Sequence, residues 1–140
     1  MNPNYTQTIT VYNRIKAPDT ADKKEVWRST ILENCFWKTL INTGFNETKI
    51  STQNSYVARI PEDSRYLPYA EYVKAPEGHF TISEGDILIR GKCTETIEKI
   101  AGQTATELMQ RHKPEAFKVT AFSDNTGHAV ASSRHYRVGG

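Results

Sequence analysis

The chain has 140 residues, a normal size for one domain with one core. Its 18 Lys and Arg against 16 Asp and Glu leave a net charge of +2, too balanced for charge alone to mark a nucleic-acid binder. Only 37% of residues are hydrophobic, which predicts a thin core, and no apolar run reaches the roughly 18–20 residues of a membrane helix.

Residues 1–7 are polar and predict a flexible N-terminus. They lack the basic and apolar regions of a signal peptide, so no export is expected. Residues 8–15 alternate as a strand, with Ile9, Val11 and Asn13 on one side and Thr10, Tyr12 and Arg14 on the other. Residues 16–24, with Pro18 and several charges, read as a solvated loop.

Residues 25–40 form the longest β-like tract. Trp27, Ile31, Cys35 and Trp37 share one parity, and Leu32, Phe36 and Leu40 share the other. Either both faces are buried, or Glu33-Asn34 is a bulge that swaps them; the bulge explains two polar residues in mid-strand better. Trp27 and Trp37 are expected in the core, with sugar stacking as the alternative role. Residues 41–54 are polar and contain Gly44, consistent with a loop or a loose hairpin arm. Residues 55–60 are a strand that Pro61 ends.

Residues 61–78 hold Pro61, Pro68, Pro76 and Gly78, with Tyr66, Tyr69 and Tyr72 between them. This is either an aromatic recognition loop or a surface crossing whose tyrosines lie on the wall of the domain. Residues 79–93 carry the clearest hairpin signal. Phe80 and Ile82 alternate with polar residues, Ser83-Glu84-Gly85-Asp86 supplies a turn, and Ile87, Leu88 and Ile89 follow as a strand. Ile87, Ile89 and Cys93 lie on its buried side; Leu88, Arg90 and Lys92 lie on the wetter one.

Thr104-Ala105-Thr106-Glu107 is a capping box. Ala105, Leu108, Met109 and His112 then make an amphipathic stripe, predicting one helix over residues 104–112. Residues 116–123 and 133–138 are strands around an Asp124–Gly127 turn, and Gly139-Gly140 is expected to fray. The pattern as a whole predicts a mainly β fold: a single small β-barrel or sandwich domain over 1–140 with one short helix.

Chemistry-bearing motifs are sparse. His79, His112, His128 and His135 stand at no ligand spacing from one another or from Cys35 and Cys93, so no metal site is expected. There is no Gly-rich phosphate loop and no nucleophile elbow. Glu84, Asp86 and Asp124 read as turn carboxylates. No catalytic residue, cofactor or enzymatic activity is expected, and the two cysteines read as reduced core thiols.

In order and spacing, several segments resemble small structural proteins of tailed bacteriophages. These are Thr10-Val-Tyr-Asn-Arg14, Trp27-Arg-Ser-Thr-Ile31 with Asn34-Cys-Phe-Trp37, Val57-Ala-Arg-Ile-Pro61, Ser83-Glu-Gly-Asp86 with Ile87-Leu-Ile-Arg-Gly91, Phe117-Lys-Val-Thr120, Ser123-Asp-Asn125 and His135-Tyr-Arg-Val-Gly139. The resemblance runs from about residue 8 to residue 140. It implies a minor capsid or head–tail connector protein, made in the host cytoplasm and placed in the virion neck. The nearest analogue is a head-closure, or stopper, ring joining the portal or adaptor to the tail; a tail terminator is the alternative.

The implied partners are other copies of the chain in a hexamer or dodecamer, the portal or adaptor, the tail terminator, and packaged DNA contacted without sequence reading. No membrane is implied. By position, Asn42, Gly44, Phe45, Glu47, Lys49 and Ser51 would form the channel loop, and Tyr66, Tyr69 and Tyr72 an inter-subunit loop. An oligonucleotide-binding β-barrel is the reading of a different class.

Overall fold

A computed structural model of the chain describes residues 5–20, 22–45, 50–98, 100–127, 129–130 and 134–140, with 41–45 and 50–54 described by their backbone. The protein is mainly β. Seven strands form one curled antiparallel sheet: β1 (Gln7–Ile15), β2 (Val26–Phe45), β3 (Ile50–Pro61), β4 (Ile87–Arg90), β5 (Ala116–Lys118), β6 (Ala121–Asn125) and β7 (His135–Gly139). Two helices join them, the four-residue α1 (Tyr69–Tyr72) and α2 (Ala105–His112).

The strand order is β5-β4-β1-β2-β3-β7-β6. The two edge strands, β5 and β6, are consecutive in the chain and joined by Val119 and Thr120 alone. So short a link forces the sheet to curl until its edges approach. Phe117 of β5 accordingly stacks on Tyr56 of β3 with ring centroids 5.1 Å apart.

Strand β2 belongs to both halves of the curl. It pairs with β1 from Val26 to Cys35, then with β3 from Phe36 to Phe45. The change of partner falls at the Glu33-Asn34 bulge expected from the sequence. Ile9 faces Leu32 while Gln7 faces Cys35, so Glu33 and Asn34 together oppose Thr8. Asn34 has φ 57°, the left-handed conformation that Asn tolerates better than most residues. The bulge turns the strand over. Leu32 before it and Cys35 and Trp37 after it all enter the same core.

That inner core also holds Ile9, Val11, Ile60, Phe80, Leu88 and Val138. A second core lies on the outer face of β1 and β4, where α2 packs. There Tyr12, Ile87, Ile89, Cys93, Ile97 and Ala116 meet Leu108. Helix α2 starts as the capping box predicts: Thr104 Oγ1 accepts from Glu107 N at 3.3 Å and donates to the Glu107 carboxylate at 2.8 Å. Glu107 then takes Gly102 N, at 2.8 Å.

Several expectations change. Leu88 is fully buried, so β4 is apolar on both faces rather than wet on one. Trp27 is half-buried against the outer cluster rather than central to the core. Residues 79–82 are not a hairpin arm: Phe80 N donates to Arg65 O and Phe80 O accepts from Leu67 N, while β4 pairs with β1 and β5. The 116–123 strand is broken at Val119-Thr120, where Val119 N turns aside to Asp86 O. Gly140 does not fray, since its N–H and carbonyl both bond to the Tyr56 backbone, at 3.1 and 2.7 Å. A Cβ at Gly140 would lie 2.3 Å from the Phe117 ring, so only glycine fits there.

Candidate functional site

Three places could carry function. The first is a β-arm. Strand β1 leaves β2 at Cys35, and β7 covers β3 only from Val57 to Pro61. Among the described residues, from Leu40↔Ser55 to Phe45↔Ile50 the two strands pair only with each other, over six residue pairs. At about 3.4 Å per residue the arm extends roughly 20 Å from the sheet. Of the loop and the hairpin arm that the sequence left open, the paired residues 41–45 and 50–54 form the hairpin arm. Of the channel-loop candidates, Asn42 pairs with Gln53, Gly44 with Ser51 and Phe45 with Ile50. Glu47 and Lys49 lie outside the described residues. Leu40, at the root of the arm, is 41% exposed.

The second place is the tyrosine segment, and here the structure separates the three side chains. Tyr66 packs on Tyr136, Phe80 and Phe122 with centroid distances of 4.4, 5.9 and 5.9 Å. Tyr69 accepts Lys16 N at 3.0 Å and donates to Asp19 at 2.6 Å, pinning the 3-10 turn Ala17–Asp19. Tyr72 is fully buried. Each of the three is thus held within the chain, by ring contacts for Tyr66, hydrogen bonds for Tyr69 and burial for Tyr72.

The third place was not legible as a site in the sequence. Cys93, Glu95 and His112 converge on the outer face of the sheet, their ligand atoms within 4.8 Å of one another. Cys93 follows β4 and sits on the same side as Ile87 and Ile89. His112 closes the apolar stripe of α2. Packing that stripe on that face brings together two residues 19 apart in sequence, with Cys93 Sγ 3.7 Å from His112 Nε2. The sign was there in outline: a histidine on the apolar face of a helix and a cysteine on the apolar face of a strand.

Glu95 completes the group. Its Oε2 contacts His112 Nε2 and lies 3.7 Å from Cys93 Sγ. Its Oε1 takes Arg111 Nε at 3.0 Å. The contact with His112, followed by that with Arg111, holds the Glu95 carboxyl below its usual range. Behind the thiol, the Tyr12 hydroxyl lies 3.1 Å from Sγ and donates to Glu95 O at 2.6 Å. Thr10 Oγ1 accepts Cys93 N at 2.9 Å.

This is not the geometry of a nucleophilic relay. A relay needs one imidazole nitrogen toward the thiol and the other toward the carboxylate. Here a single nitrogen, Nε2, faces both Cys93 and Glu95.

The fold defines a class: a curled antiparallel β-sheet protein with one clad face and a two-stranded arm. Within it, the chain belongs to a family of unknown function designated DUF6751, which matches residues 4–140. No curated protein matches the chain, and no solved structure does.

Proposed function

We propose that the protein is a ring-forming structural component of a tailed-phage virion, in the manner of a head-closure protein between portal or adaptor and tail. The observation that carries this reading is the arm. An isolated two-stranded ribbon is marginal in water by itself. Among the described residues, the outer six pairs of β2 and β3 have no third strand beside them. Such a ribbon gains its stability when neighbouring subunits cover it.

The arm's chemistry suits a channel wall. Across 41–54 the only charges are Glu47 and Lys49, and the rest is mostly Asn, Thr, Ser and Gln. A lining of this kind meets DNA without the counterion release that makes basic surfaces bind phosphate tightly. The arm supports the stopper assignment over the tail terminator, because it gives each subunit an element long enough to reach a central channel.

Quantitative mass spectrometry of purified virions tests the proposal. Peptides of the chain are expected at a fixed ratio to the portal protein, and antibody labelling is expected at the neck. Expression in infected cells with absence from virions overturns it.

A further inference from the structure

We propose that Cys93, Glu95 and His112 form a binding site for one divalent transition-metal ion, with Zn²⁺ the best-fitting ion. The inference stands apart from the virion reading, because it rests on the outer face of the sheet and not on the arm.

The donor set is one sulfur, one imidazole nitrogen and one carboxylate oxygen. Thiolate and imidazole select zinc and its neighbours, whereas calcium and magnesium require oxygen ligands. A thiolate, a carboxylate and a neutral imidazole also balance the two positive charges of the ion.

The distances fit. With Zn–S about 2.3 Å and Zn–N and Zn–O about 2.0 Å, tetrahedral angles place sulfur about 3.5 Å from each of the other two donors. Cys93 Sγ already lies 3.7 Å from His112 Nε2 and 3.7 Å from Glu95 Oε2. The Nε2–Oε2 hydrogen bond is the one separation that must open, to about 3.3 Å by the same geometry. The ion thus replaces the proton between His112 and Glu95, displaced from their line toward Cys93 Sγ. That proton and the thiol proton leave to solvent.

The surroundings hold the donors in place. Arg111 takes Oε1 of Glu95 and leaves Oε2 for the ion. Thr10 fixes the Cys93 backbone, and the Tyr12 hydroxyl fixes the Glu95 carbonyl. Outer contacts of this kind orient ligands and tune affinity. Cys93 is buried, while His112 and Glu95 side chains are 29% and 40% exposed, which gives the ion an anchored inner donor and an open way in. Three protein ligands leave a fourth position for water. Bound there, the ion ties the last turn of α2 to the segment that follows β4.

The test is titration of the full, untagged, reduced chain with Zn²⁺ by calorimetry and with Co²⁺ by absorption. One ion per chain is expected, together with a thiolate-to-cobalt charge-transfer band and a higher thermal midpoint with Zn²⁺. Cys93→Ser should abolish the band, and Cys35→Ser should leave it unchanged. His112→Ala and Glu95→Gln should each weaken binding by more than about tenfold. Both alter partly exposed side chains, so they test the site even if Cys93→Ser fails to fold. A folded chain that binds neither ion overturns the proposal, as does binding unaffected by His112→Ala and Glu95→Gln.

Discussion

Asn13 of β1 and Asp86 of the turn before β4 meet inside the protein, Asn13 Nδ2 donating to Asp86 Oδ2 at 2.9 Å. The two side chains do the work of a missing strand pair. Asn13 also bonds to both the N–H and the carbonyl of Thr81, as a facing backbone would. Asp86 takes the Arg14 and Ser83 N–H groups, at 3.0 and 2.9 Å. This is how residues 79–82 are held against the sheet without joining it as a strand. Gly85 completes the turn at φ 97°, with the Arg14 guanidinium 3.2 Å from where a Cβ would stand.

Both Asp86 oxygens accept N–H groups, so replacing one with an amide NH₂ sets donor against donor. Asp86→Asn is therefore expected to destabilise the fold, although it changes size very little. The expected loss is about 1–3 kcal/mol, the penalty of a buried group left unsatisfied. Urea unfolding reads it as a lower midpoint at unchanged slope.

Burial pushes the Asp86 carboxyl up to about 6, against the opposing pull of its Arg14, Asn13 and Ser83 hydrogen bonds. In the unfolded chain an aspartate titrates near 3.9. Between these values the folded protein holds a proton that the unfolded chain has released. The contribution of Asp86 to stability is therefore full below about pH 4 and is lost as pH rises through about 6. A carboxyl carbon-13 titration should show the midpoint near 6. Wild type should lose stability across that window relative to Asp86→Ala, and a parallel course for the two proteins would show that the group does not titrate there.

The bulge makes a sharper claim on sequence. Asn34 has φ 57°, so Asn34→Gly should be tolerated, whereas Asn34→Val is expected to cost about 1–2 kcal/mol. Deleting Asn34 would return β2 to strict alternation with Leu32, Cys35 and Trp37 still on one face, so the core residues should keep their places and only the bend of the bulge should be lost. Thermal melts of the three variants rank these effects.

What could be read from sequence was whatever a periodic pattern records. The Glu33-Asn34 bulge showed itself because apolar residues changed parity across it, and α2 because a capping box led into a stripe. Strand β4 was misread on one face. A run such as Ile87-Leu88-Ile89 does not say what covers each side, and Leu88 faces the inner core while α2 covers the other two. The arm stayed open between a loop and a hairpin arm because residues 41–54 are mostly polar and carry no regular apolar alternation. The Cys93–Glu95–His112 group was hidden for a different reason. Its members are readable one at a time, but only the packing of α2 on β4 brings them within reach.

The two covered faces of β4 predict that neighbouring residues are destabilising for separate reasons. Leu88→Ala leaves a cavity in the inner core, and Ile87→Ala leaves one under α2. Each is expected to cost about 2–5 kcal/mol. Because the side chains point into different clusters, the double mutant should show close to the sum. Denaturant midpoints of the two single mutants and the double mutant decide this. A wild-type midpoint for Leu88→Ala would show that the inner face of β4 is not packed.

The last prediction concerns the arm and assumes the virion reading. Residues 45–51 are replaced by a short glycine linker, which removes the tip and keeps the strands rooted from Gly44 and Thr52 inward. The body of the sheet does not use these residues, since β1 and β7 pair well inside them. The truncated chain is therefore expected to fold with a thermal midpoint close to wild type. If the arm seals the channel, truncated subunits should still enter virions, while heads carrying them lose DNA on standing. Measuring DNA per purified head against time separates the cases. Normal incorporation with normal retention would mean that another element closes the channel. Failure to incorporate, with the fold intact, would place the arm at the subunit contact instead. A gating arm and an assembling arm make opposite predictions for the count of this chain per particle, so the same preparation distinguishes them.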